Sequence, residues 1–178
     1  MLSLSSLAGW EEAVLSSIAG ARGTAEERDR QIERSGMYGE YPAIVRAYIE
    51  LFDDDESALE ALKRALFLVW RSAMALPVVT GLAALPESTS RLVVEQLDDA
   101  IRRGRDDAEL RWMLAWYRAE GGFVLELYGG TTRVMNLGSE LEIDTWRAMN
   151  ITPARMAQRG QLGRYWLDLV AAEREAKS

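Results

Sequence analysis

From Leu110 to Tyr128 apolar side chains return every three to four residues, and that spacing restricts the middle of the chain to a helix that must be covered on more than one side. Leu110, Leu114, Tyr117, Gly121, Val124 and Tyr128 fall within about 40° of one line at the helical period, and Trp112, Trp116, Phe123 and Leu127 form a second line beside it. The phase survives Gly121–Gly122, which predicts one long central helix near 107–128. The glycine pair costs about 1 kcal/mol per residue and allows close approach of a neighbour. The competing reading stops the helix at Gly121 and makes Phe123–Tyr128 a strand, because paired glycines are strong breakers.

The same periodicity marks the flanking segments. Leu7, Trp10, Val14 and Ile18 predict a helix over about 5–19, closed by Gly20 and Gly23. Thr24 and Glu27 make a capping-box pattern, but Ile32 is the only large apolar residue of the next ten, so 24–36 reads as a polar, solvated helix or a mobile arm. Pro42 suits a first helical turn ahead of Ile44, Val45, Tyr48, Ile49 and Phe52. Ser57 with Glu60 is a second capping-box pattern, opening a mostly buried helix that runs to Pro77, with Glu60, Arg64 and Arg71 along one wet edge.

An irregular turn follows over 77–86. Ser88, Thr89 or Ser90 then caps a helix ending at Arg102, Arg103 and Gly104. Asp106 with Glu109 is a third capping signature. Gly129–Gly138 reads as a loop, and Leu141, Ile143, Trp146 and Met149 mix two periods. Thr152–Pro153 starts a short helix, Gly160 and Gly163 punctuate, and 165–175 forms the last helix. About seven helices in one bundle-like, all-α domain over 1–178 is the expected architecture; no repeat or low-complexity linker divides it.

Composition limits the chemistry. The 178 residues contain no cysteine and no histidine. Disulfides, thiolate nucleophiles, Ser-His-Asp triads, Cys-His pairs, zinc fingers and Glu-x-x-His di-iron sites are therefore excluded. Gly129-Gly130-Thr131-Thr132 lacks the spacing and lysine of a phosphate-binding loop. The paired carboxylates do not follow the spacing of a calcium loop, so neither a metal nor a cofactor is expected.

Twenty-eight acidic against 21 basic residues give a net charge of -7, which repels nucleic acid and anionic lipid. The basic run Arg102, Arg103, Arg105 is bracketed by Asp98, Asp99, Asp106 and Asp107, as at salt-bridged helix ends. The apolar stretch 66–85 holds Arg71 and Pro77, and the N-terminal stretch holds Glu11 and Glu12 with no positive start, so neither a membrane span nor a secretion signal is expected. A cytoplasmic protein fits these features.

What remains is recognition by charge and aromatic surface. The candidate partner-binding residues are Asp53, Asp54, Asp55, Glu56, Asp98, Asp99, Asp106 and Asp107, with Trp112 and Trp116. They point to an acidic helical protein-binding module, either of the toxin-neutralising, immunity-like kind or an adaptor, whose protein partner is basic. The alternatives are an enzyme or small-ligand protein that works with carboxylate, Arg or Tyr groups in a pocket beside the central helix, and a self-associating structural protein.

Overall fold

The computed structural model describes residues 2–137 and 151–176. The expectations for Leu141, Ile143, Trp146 and Met149 lie outside them. Among the described residues the regular structure is entirely helical: α1 (Leu4–Gly20), α2 (Ala25–Arg34), α3 (Glu40–Ile49), α4 (Ala58–Met74), α5 (Pro77–Thr80), α6 (Glu87–Arg102), α7 (Ala108–Gly121), α8 (Phe123–Leu127), α9 (Thr132–Leu137), α10 (Pro153–Met156) and α11 (Gly160–Ala176). Seven have ten residues or more, and the other four are one- or two-turn connectors.

Helix α4 is the central member. Ala61 to Trp70 are all buried, and the helix packs against α3, α6, α7 and α11. Helix α1 lies on α3 and α11, presenting Leu7, Val14 and Ile18, as its spacing predicts. Helix α2 is ordered by a complete capping box between Thr24 and Glu27 and is pinned by a single buried apolar residue, Ile32.

The structure alters several local expectations. The long central helix divides: Gly121 ends α7 and Phe123 begins α8, with no strand. Gly122 keeps right-handed helical dihedrals (φ -57°, ψ -29°), so the apolar phase carries across the division. Gly121 leaves room for the Met74 side chain, whose sulfur would lie 2.5 Å from a Cβ there and would have to move aside.

Ser57 and Glu60 form no capping box. The Ser57 hydroxyl bonds to Asp54 instead, and Glu60 is drawn to arginines. Asp107, one residue past the expected Asp106, caps α7 by accepting the Leu110 N–H at 2.9 Å. Helix α6 starts at Glu87 behind Pro86, which leaves Ser88 to Ser90 inside the helix rather than at its cap. Residues 132–137, expected as loop, form α9.

The last helix begins at Gly160, five residues earlier than expected, and contains Gly163. A Cβ on Gly163 would run into the Met156 carbonyl oxygen of α10, so the glycine marks a contact between helices rather than a break. Gly163→Ala should therefore lower unfolding stability by about 1–3 kcal/mol, read as a reduced urea midpoint with an unchanged slope.

Candidate functional site

Two polar assemblies stand out against the apolar interior: an open cleft with an acidic rim, and a closed ionic lattice. The cleft, of about 620 Å³, lies where the α3–α4 turn faces the end of α6. Phe52, Leu59, Leu62 and Ala100 give it an apolar floor, and Asp53, Asp55, Asp99, Arg103 and Arg105 stand around it.

Local sequence explains this arrangement. Helix α3 stops at Ile49, and a series of turns carries four consecutive acids past the floor before α4 starts. Acids ahead of a helix N-terminus are favoured by its dipole. Cations gather at the opposite pole, the carboxyl end of α6, for the same reason. Arg103 reaches Asp99 at 3.3 Å and Arg105 reaches Asp55 at 3.4 Å, all between exposed or half-buried side chains. Arg102 also pairs with Asp99. Among the described residues, Asp53 and Glu56 carry no ion pair and remain solvated carboxylates.

The ten residues singled out in the sequence are thus divided. Asp53, Asp55 and Asp99 share the cleft. Asp54 turns to the Ser57 hydroxyl, and Glu56 is exposed outside the lining. Asp98 faces α9, bonding the Thr131 hydroxyl at 2.5 Å and lying 3.7 Å from Arg133. Asp106 pairs with Arg111, and Asp107 caps α7. Trp112 is buried against Trp166, with ring centres 4.4 Å apart. Trp116 stacks on Trp112 and donates its indole N–H to the Tyr165 hydroxyl at 2.6 Å.

The ionic lattice went unforeseen. Of the edge of α4 expected to be wet, Glu60 and Arg71 stay partly exposed, but Arg64 is covered, and it and the neighbouring Lys63 are each only 4% exposed. Lys63 holds Asp107 at 2.6 Å and Glu109 at 2.8 Å. Arg159, ahead of α11, grips both oxygens of Glu60 at 2.7 and 2.8 Å and reaches Glu109 at 2.6 Å. Arg64 bonds Glu60 at 2.7 Å and the Leu4 carbonyl at 3.0 Å. Burial pushes the Glu60 carboxyl up, but the hydrogen bonds and charge of Arg159, with Arg64, outweigh it and hold the group below the ordinary carboxylate range. Asp107 is lowered in the same manner: burial raises it, and Lys63 with the Leu110 N–H overcomes that.

A hollow of about 260 Å³ beside this lattice is lined by Asp107, Glu109, Arg155, Arg159 and Trp166. Its acids are already matched by Lys63 and Arg159, which describes a structural clamp better than a reactive centre. Among the described residues no group of acidic side chains is placed to hold a metal ion.

No protein-family model, curated protein or solved structure matches the chain.

No helix among the described residues is long and apolar enough to cross a membrane. The basic run is tied into its own acids: Arg102 and Arg103 to Asp99, Arg105 to Asp55.

Proposed function

We propose that the chain is a protein-binding module whose cleft between the α3–α4 turn and the end of α6 takes a basic, amphipathic segment of a partner protein. The carrying observation is the convergence of Asp53, Asp55 and Asp99 over an apolar floor. A segment with an apolar face would dry the partly exposed Phe52 and Leu59, each large enough to contribute to affinity. Its cations would meet the free Asp53 carboxylate and exchange with Arg103 and Arg105 for Asp99 and Asp55. These intramolecular pairs are exposed and individually weak, so an incoming arginine competes at little cost.

The net charge of -7 extends the same attraction to longer range and speeds encounter with a cationic partner. A reducing cell interior is the compartment we assign it, since a chain without cysteine needs no oxidising one.

The experiment is a fluorescence titration with a labelled amphipathic peptide of Leu and Arg, compared with its Leu and Glu counterpart. The Arg peptide should bind, and more weakly as salt rises. Asp53→Asn, Asp55→Asn and Asp99→Asn together should reduce its affinity about tenfold and flatten the salt dependence. Equal binding of both peptides, or an unaltered triple variant, would refute the reading.

A further inference from the structure

Away from the cleft, and independently of it, α1 carries one carboxylate into the interior. Glu11 is 1% exposed. Its Oε1 accepts from the Tyr48 hydroxyl of α3 at 2.6 Å, and its Oε2 accepts from the Gln161 backbone N–H, in the first turn of α11, at 2.8 Å. The Gln161 side chain extends the contact by donating to the Tyr41 hydroxyl and, at 3.0 Å, to the Thr80 carbonyl of α5. Gly160 has φ +56°, and a Cβ there would fall 2.5 Å from the Glu11 carboxyl carbon. The glycine lets the α11 backbone close onto this acid, so α1, α3 and α11 meet at one ionisable group and α5 joins them through Gln161.

We propose that Glu11 is a proton-operated latch that holds the first turn of α11 to α1 and α3, tight when the carboxyl is protonated and looser when it is ionised. The groups around it are known from each packed element. Tyr41 and Tyr48 come from α3, Arg64 from α4 with Glu60 behind it, and Arg164 from α11, itself paired with Glu12 of α1 at 2.7 Å. Arg159, just ahead of α11, is occupied by Glu60 and Glu109. Among the described residues no cation contacts the carboxylate directly, and Arg64 acts on it through its charge.

Burial consequently dominates and raises the group from its ordinary 4.5 to about 7, against the hydrogen bonds from Tyr48 and Gln161 and the charge of Arg64. Opening α11 would return Glu11 to water and to an ordinary carboxylate value. The closed form therefore binds the proton more strongly, so closure is favoured below about pH 4.5, weakens as pH rises, and levels off above about 7.

The test pairs amide exchange, corrected for its intrinsic pH dependence, with carbon-13 titration of the glutamate carboxyls. Between pH 5.5 and 8.5, protection of the amides of residues 161–165 should fall roughly tenfold or more relative to those of α4. The Glu11 resonance, assigned by its loss in Glu11→Gln, should titrate near neutrality, and that variant should show no pH dependence of α11 protection. Tyr48→Phe keeps the acid but removes a hydrogen bond to its ionised form, so it should move the midpoint upward. Uniform protection at both pH values, a midpoint near 4.5, or an unmoved midpoint in Tyr48→Phe would each overturn the latch.

Discussion

Arg159→Met should lower the unfolding free energy by about 3 kcal/mol. The guanidinium is 11% exposed and supplies three hydrogen bonds to two carboxylates, Glu60 and Glu109, which stay in place when it is removed. Breaking a buried pair from one side leaves charge without compensation, at a cost of about 3–5 kcal/mol. Lys63 and Arg64 still reach these acids, which puts the expectation at the lower end.

Urea unfolding of Arg159→Met, Glu60→Gln and the double variant checks this, since the cycle should return a coupling of about 1–3 kcal/mol. A loss below about 1 kcal/mol in Arg159→Met would mean that the lattice does not clamp α11 onto α4 and α7. The same pairs set an acid limit. Because Glu60 and Asp107 are held below their ordinary values, their stabilisation is complete above about pH 4.5 and is lost as pH falls through the lowered ones.

Trp166→Ala should cost about 3–5 kcal/mol through the cavity that it leaves. Trp166 is 1% exposed and lies against Trp112, which stacks on Trp116 with ring centres 5.4 Å apart. This aromatic row joins α11 to α7. Trp166→Phe should recover much of the loss, because the indole N–H makes no hydrogen bond among the described residues and only ring area is surrendered. Thermal unfolding of the two variants separates the cases: equal losses would show that the indole N–H holds a partner, and two negligible losses would show that α11 is not seated on α7.

The helical class and the placing of the long helices were legible because they depend on local spacing. Leu7, Val14 and Ile18, or Leu110, Leu114 and Tyr117, face inward for reasons contained in their own turns. Capping was legible at Thr24 and Thr152, where no distant group competes. It misled at Ser57, because Glu60, the intended box partner, is bound more strongly by Arg159, 99 residues further on.

The neighbour expected at Gly121 is the Met74 side chain, whereas Gly163 reads as punctuation in the sequence and instead sits where the Met156 carbonyl comes too close for a side chain. Single-sequence reasoning sees the missing side chain and not the neighbour. The candidate site was half visible for the same cause. Both acidic clusters were evident in the sequence, but that Asp53 and Asp55 meet Asp99 over one floor depends on the packing of α4 against α6. Glu11 carried a faint signal, since it falls on the helical line of Leu7, Val14 and Ile18, but the groups that enclose it belong to α3 and α11.

The cleft as a docking surface is tested most directly by nitrogen-15 chemical-shift mapping with the Leu and Arg peptide. Perturbations should cluster at residues 52–62 and 96–105 and leave α2 and the outer face of α11 unchanged. Shifts concentrated elsewhere, or none at saturating peptide, would contradict it.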